Sequence, residues 1–243
     1  MSERMRAAAN MVTKGNAVCD VGCDHGFVSI YLVQQGISPR ALAMDLREGP
    51  LRAAGEHVKA YGLEGRIELR LSDGLHKYEK GEAETLLCAG MGGGLMRRIL
   101  EKDREKTASF QELVLQPQSE LEQFRRFLRE SGHGIFDEEM IEEDGKFYQI
   151  IRALPGCGGK AREDRELSDA AKERLCKLED RYGPVLLRKK TSVFQSFLDR
   201  EAVVYREILA GLRKQGLEDE RRRERYAQVE ALIDDNCYVR TLA

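Results

Sequence analysis

No apolar run in this chain approaches the about 18–20 residues that a membrane span needs. Its opening stretch, Met1-Ser2-Glu3-Arg4-Met5, lacks the apolar core of an export signal. A soluble, cytoplasmic protein with no membrane partner is therefore the expectation. The cysteines, Cys19, Cys23, Cys88, Cys157, Cys176 and Cys237, form no Cys-x-x-Cys pair, and no closely spaced histidine pair follows them. That excludes the usual zinc spacings, so no metal is expected. Without an export signal a disulfide framework is not expected either, and the six read mostly as small, semi-buried residues. An excess of positive charge is also missing: 40 Lys and Arg stand against 42 Asp and Glu, for a net charge of −2. A protein that is basic all over is excluded, and any nucleic-acid contact must come from a local patch. There is no internal repeat and no long low-complexity segment.

What is present is a regular alternation of element types. The 243 residues exceed one domain of about 100–200 residues and leave room for an appendage. Helical spacing covers 2–12, and the apolar run 17–21 reads as a buried strand. A loop of two glycines and two other small or acidic residues around His25 follows, then a helix at 27–35, a strand at 41–45 and a helix at 49–62. Strands at 67–71 and 85–89, a helix over 95–106, a strand at 112–115 and a helix over 119–131 continue the series. Two last strands, 135–142 and 147–153, flank Glu143-Asp144-Gly145-Lys146, a hairpin signal. The pattern predicts an α/β, Rossmann-like fold: a doubly wound parallel sheet of five strands closed by an antiparallel hairpin. Residues 156–160, Gly-Cys-Gly-Gly-Lys, read as a linker. Beyond it lies a charged helical region. Phe194, Phe197, Leu198, Tyr205, Ile208, Leu209 and Leu212 recur at helical spacing; Gly216 interrupts them, and Tyr226, Val229, Leu232 and Ile233 resume. A helical hairpin is expected there. The division predicted is a sheet domain over 1–155 and a helical, coiled-coil domain over 160–243.

The motif richest in chemistry is Asp20-Val-Gly22-Cys23-Asp24-His25-Gly26, at the carboxyl end of the first strand, where such sheets bind ligands. A dinucleotide loop would carry three glycines and a helix N-terminus facing a pyrophosphate. Here the third glycine is absent and the loop carries acids, which repel a pyrophosphate and suit a ligand with a sulfonium and an ammonium. S-adenosylmethionine is that ligand, and the competing reading is an acidic turn that only caps a helix. Asp45, followed by Leu46, ends the second strand about 20 residues on, where an acid binds ribose hydroxyls; Asp73-Gly74 ends the third, at the place of an adenine ring. Taken singly, each is also an ordinary strand-end or turn residue. Ala89-Gly90-Met91-Gly92-Gly93-Gly94 ends the fourth strand, and its glycine density suits close approach by a cofactor or a substrate base.

These segments, with Leu115-Gln116-Pro117 and Glu143-Asp-Gly-Lys-Phe-Tyr148, resemble the TrmK family of bacterial tRNA (adenine-22-N1)-methyltransferases over nearly the whole chain. Tyr182-Gly183-Pro184 ahead of a helical hairpin resembles that family's C-terminal coiled coil. Two segments depart from the family pattern: Gly26-Phe27-Val28-Ser29 stands for Ala-Tyr-Leu-Pro, and Gln118 for the Asn after Leu-Gln-Pro. The resemblance implies a class I, S-adenosylmethionine-dependent transferase acting on tRNA. It implies cofactor contacts from Asp20, Gly22, Cys23, Asp24, His25, Gly26, Asp45, Leu46, Asp73, Gly74, Ala89, Gly90, Met91 and Gly92, with Asp24 and His25 as catalytic residues. Gly93, Gln116, Pro117 and Gln118 are expected on the substrate side, with Arg188-Lys189-Lys190 as an RNA contact. Other basic clusters, Arg97-Arg98, Arg125-Arg126 with Arg129, and Arg221-Arg222-Arg223 with Arg225, are further RNA candidates; each is also readable as a solvated helix face. Open alternatives are another acceptor (a different RNA, a protein or a small molecule), a non-catalytic cofactor- or RNA-binding module, and, more distantly, a nicotinamide-dependent dehydrogenase. Monomer and homodimer both remain open.

Overall fold

Every apolar run read as a strand enters one seven-stranded sheet. The computed structural model describes residues 1–158, 168–216 and 218–241. The chain runs through α1 (Glu3–Asn10), β1 (Val18–Val21), α2 (Phe27–Gln34), β2 (Ala41–Asp45), α3 (Glu48–Ala60), β3 (Ile67–Leu71) and β4 (Thr85–Met91). It continues through α4 (Gly93–Lys102), α5 (Arg104–Thr107), β5 (Glu112–Pro117), α6 (Leu121–Glu130), β6 (Gly134–Glu143) and β7 (Lys146–Leu154). Strand order is β3-β2-β1-β4-β5-β7-β6. The first five strands are parallel and β7 enters antiparallel to β5, as expected. Both faces are apolar because both are covered. In β5, Leu113 and Leu115 pack with Phe124 and Leu128 of α6, while Val114 between them packs with Ala8 of α1 and with Val12 just beyond it.

Two local readings change. The helix expected over 95–106 breaks at Asp103, whose φ of −114° and ψ of 47° are not helical. The buried Thr107 hydroxyl donates to the Leu100 carbonyl at 3.1 Å and offers that acceptor an alternative to a continuous helix. The β6–β7 turn is tighter than the four residues expected. Only Asp144 and Gly145, at φ 50° and 69°, lie between the strands, and Glu143 pairs with Lys146. Positive φ at both central residues gives a turn whose twist matches the strands.

Beyond the sheet come α7 (Asp169–Tyr182), α8 (Leu186–Lys189), α9 (Ser192–Lys214) and α10 (Glu220–Thr241). The expected break falls at Gly216, with φ of 79°. Residues 156–158 of the expected linker are described; Gly159 and Lys160 lie outside the described residues, as does the start of the expected helical domain. Phe194, Leu198, Val229 and Val239 are buried. A polar residue sits among them: Asn236 donates to the Leu198 carbonyl at 3.1 Å and to Glu201 at 3.0 Å. Such a residue in a helical seam fixes register.

Within the cluster Arg125-Arg126-Arg129, Arg125 is buried and so is not on an RNA surface, which corrects that part of the sequence reading; the side chains of Arg126 and Arg129 stay 44% and 45% exposed. Arg125 is 1% exposed and donates to Glu138 at 2.8 Å, to Gln149, and to the carbonyl of Arg181 at 3.2 Å. Glu138 also accepts from the Val185 amide at 2.8 Å. Arg126 and Arg129 both reach Asp180, at 3.3 and 2.8 Å. Sequence spacing shows a row of cations; only the packed structure shows that Arg125 is covered while Arg126 and Arg129 flank Asp180 at the surface. The helical region is thus tied to the sheet through paired and hydrogen-bonded buried charges.

Candidate active site

Strand order places β1 between β2 and β4, so successive connections leave it in opposite directions and open a crevice at its carboxyl end. A cavity of about 550 Å³ lies there. The end of β1 and its loop supply Asp20, Gly22, Cys23, Asp24 and His25; β2 and the residues after it supply Asp45, Leu46 and Arg47. Asp73 and Gly74 follow β3, and Ala89, Gly90 and Met91 end β4. Twelve of the positions expected at the cofactor thus line one space, although they come from four separate stretches of chain.

Asp20 lies at the floor. It is 4% exposed and among the described residues accepts from Ser29 alone, whose hydroxyl donates at 2.7 Å. Burial pushes its carboxyl up to about 6; the Ser29 hydrogen bond opposes the shift and the Asp45 charge adds to it. At neutral pH Asp20 is an ionised, under-satisfied carboxylate, the kind of group that gains most from a bound cation. Asp45 is also buried, held by the backbone N–H groups of Asp24 at 3.1 Å and Arg47 at 2.8 Å. A carboxylate offers about four acceptor positions, so capacity remains for ligand hydroxyls. Beside them the Cys23 thiol is pushed well up, by burial and by the charges of Asp20, Asp45 and Asp24. It contributes a neutral wall.

Asp24 stands at the rim with its side chain 59% exposed, 3.5 Å from the Arg47 guanidinium and 3.8 Å from His25 Nε2. Its φ of 50° is a left-handed conformation that Asp and Asn adopt more readily than most residues. Phe27, where the family pattern has tyrosine, lines the cavity, and its ring stacks on His57 at 4.5 Å. The Asp73 carboxyl is held below its usual range by Lys102, 2.6 Å away.

The loop after β1 requires its first glycine. Gly22 has φ of 77°, and a Cβ there would come within 2.7 Å of the Met91 methyl. The glycine run after β4 has another cause than the one expected. A Cβ on Gly93 would lie 2.5 Å from the Ser119 carbonyl, and the Gly94 N–H donates to the Glu120 carboxylate at 2.8 Å. The β5–α6 loop occupies the space that glycine density suggested for a ligand. Gly92 and Gly93 therefore do not line the cavity, and neither does Gly26, which precedes α2. Gln116, Pro117 and Gln118 do not line it either. The buried Gln116 accepts the Gly90 N–H at 3.0 Å, its own Nε2 has no partner among the described residues, and the Gln118 N–H donates to the Met91 carbonyl at 3.0 Å. Arg188, Lys189 and Lys190 are outside the cavity, around α8, and Lys189 is engaged by Asp137 at 2.8 Å and Glu139 at 3.6 Å.

Among the lining residues that were not anticipated are Arg4, Met5 and Arg47. Arg47 follows the strand-end acid and was open to inference from that position. Arg4 and Met5 sit on α1, which sequence shows only as an amphipathic helix; its seat over the end of β4 is set by packing.

The donor set fits S-adenosylmethionine. It has a floor carboxylate with spare capacity, a second carboxylate held by two backbone amides, and a loop kept open by Gly22. A model of the methyltransferase-domain family matches residues 1–151. The tRNA (adenine(22)-N(1))-methyltransferase of Bacillus subtilis is 32% identical over 194 residues, covering 80% of this chain and 78% of that protein. Among solved structures, the B. subtilis m1A22 tRNA methyltransferase TrmK superposes with a TM-score of 0.82 at 28% identity, over 98% of both chains. Streptococcus pneumoniae Sp1610, solved in complex with S-adenosyl-L-methionine, gives 0.81 at 31% identity, over 98% of this chain and 99% of that one.

Proposed function

The chain belongs to the TrmK family of tRNA (adenine(22)-N(1))-methyltransferases, and from that membership we infer that it transfers a methyl group from S-adenosylmethionine to N1 of adenine 22 in tRNA. The observation that carries the reading is the under-satisfied Asp20 carboxylate at the floor of the strand-end cavity, matched to a cationic cofactor. When bound, the cofactor supplies an electrophilic methyl group on a sulfonium.

The chain's own residues divide the remaining work. Asp20 holds the ammonium, Asp45 the ribose hydroxyls, and the Ser72-Asp73-Gly74 turn the adenine edge. The target N1 carries a free lone pair, so no proton leaves before attack, and alignment of base and methyl supplies much of the rate. As positive charge arises on the purine, the Asp24 carboxylate at the rim stabilises it and then accepts a proton from the exocyclic amine. His25 orients Asp24. The target base leaves its stack to enter the cavity. The sheet part, 1–155, carries this chemistry, and the helical part, 160–243, holds the tRNA, with exposed Arg188 among its contacts. No helix among the described residues is long and apolar enough to cross a membrane, and a cytoplasmic site of action follows from the tRNA substrate. No metal takes part in this scheme, and it works in a monomer or a homodimer.

Incubation with unmodified tRNA transcripts and methyl-labelled cofactor tests the function. The expected product is N1-methyladenosine at position 22; label at another nucleotide, or none despite cofactor binding, overturns it.

A further inference from the structure

The acids of the cavity answer the cationic parts of the cofactor, but no residue assigned so far answers its carboxylate. Three lining residues can be cationic: Arg4, His25 and Arg47. Arg47 lies between Asp24 and Asp45, at 3.5 and 3.7 Å, and His25 lies against Asp24. Both belong to the acidic rim by β2. Arg4 stands on α1, beside Met5, whose methyl lies 2.8 Å from where a Gly90 Cβ would be. That is the β4 side of the cavity, across β1 from Asp45.

The β6–β7 hairpin fixes Arg4 there. Glu143 accepts the Glu3 N–H at 2.5 Å, which ties down the first turn of α1. The guanidinium carbon lies 4.9 Å from the Tyr148 ring centre, and Nε is 3.5 Å from Glu143. Stacking on an aromatic face with one loose carboxylate neighbour orients a guanidinium without using up its donors. Among the described residues no hydrogen bond from the Arg4 side chain is formed, although that side chain is only 24% exposed. An oriented guanidinium with unspent N–H groups at a cavity wall is suited to a planar oxyanion.

Resting on the proposed function, we propose that Arg4 is the receptor for the carboxylate at the amino-acid end of the cofactor, acting opposite Asp20, which takes the ammonium. The N-terminal helix then belongs to the cofactor site. The same oxyanion chemistry is offered by a phosphate of the flipped nucleotide, and the test separates the two sources.

Calorimetry with S-adenosylhomocysteine and its decarboxylated analogue, S-adenosyl-3-thiopropylamine, reads the pairing directly. The wild-type protein is expected to prefer the carboxylated ligand by about 10- to 100-fold, the range of a charge-assisted contact. Arg4→Met is expected to abolish that preference by weakening S-adenosylhomocysteine alone, and Arg4→Lys to keep part of it. Equal loss for both ligands would mean that Arg4 only packs α1, and would overturn the assignment. Unchanged S-adenosylhomocysteine affinity with a raised KM for tRNA would move Arg4 to the phosphate and overturn it too. If a variant melts early, the wild-type comparison still decides: no preference between the ligands sinks the proposal. Binding of neither ligand by wild-type protein would instead bring down the methyltransferase reading itself.

Discussion

At one edge of the sheet, Glu138 is fully buried and accepts from Arg125, at 2.8 Å, and from the Val185 and Leu186 amides, at 2.8 and 3.4 Å. At its centre, Asp20 is almost as deeply buried and, among the described residues, accepts only from Ser29. The two acids face the same desolvation cost and meet it differently. Glu138 is answered within the chain, and its neighbourhood is a structural junction between sheet and helices. Asp20 is not, and burial pushes its pKa up to about 6; in the proposed function its remaining demand is met by the cofactor's ammonium. On that reading the degree of satisfaction, more than burial, separates a structural charge from a binding charge in this protein.

Substitutions on each side put that contrast at risk. The largest effect is expected at the rim, where Asp24→Asn keeps the left-handed backbone but removes the carboxylate. Turnover should fall by about 10²- to 10⁴-fold, the usual worth of an acid–base group, with S-adenosylhomocysteine affinity nearly unchanged; steady-state rates and calorimetry report the two separately, and undiminished turnover removes Asp24 from the mechanism. Next comes the junction. Arg125→Met leaves Glu138 buried and unpaired and should lower unfolding free energy by about 3–5 kcal/mol in a urea titration. Adding Glu138→Leu should recover only part of that, because the Val185 and Leu186 amides lose their acceptor.

Asp20→Asn should act in the opposite direction. The folded-state carboxyl titrates at about 6 rather than 3.8, so the native state binds its proton more tightly than the unfolded chain between those values. Stability therefore falls as pH rises through that window, and the cost is complete above about pH 6. The amide removes a cost of about 3 kcal/mol at pH 7.5 and can still accept from Ser29. The variant should melt a few degrees higher than wild type while losing cofactor binding. A lower melting temperature would show that Asp20 is structural after all. The mildest effect is a pH profile: wild-type affinity for S-adenosylhomocysteine should weaken by about tenfold per pH unit below about pH 6 as Asp20 takes up its proton. A flat profile to pH 5 would detach Asp20 from the ligand.

Much of this was legible beforehand. The strand-end acids Asp20, Asp45 and Asp73 were found because a parallel sheet puts the residue after each strand at one edge, and strands announce themselves as short apolar runs. The hairpin was legible from Asp144-Gly145. What escaped were residues whose role depends on a distant neighbour. Arg125 looks like any helix-surface arginine until α7 and α8 cover it. Gly93 looks like ligand space until the Ser119 carbonyl is found there. Arg4 is one charge on an eight-residue helix whose docking over β4 no local pattern encodes.

By itself, then, the amino-acid order determined the alternation of elements, the direction of the sheet and the acids at its carboxyl edge, because hydrophobic period and turn chemistry act over a few residues. Tertiary structure alone decided which charges are answered internally and which are left for a ligand. That choice depends on what packs within a few ångströms across long separations in the chain, and no local pattern records it.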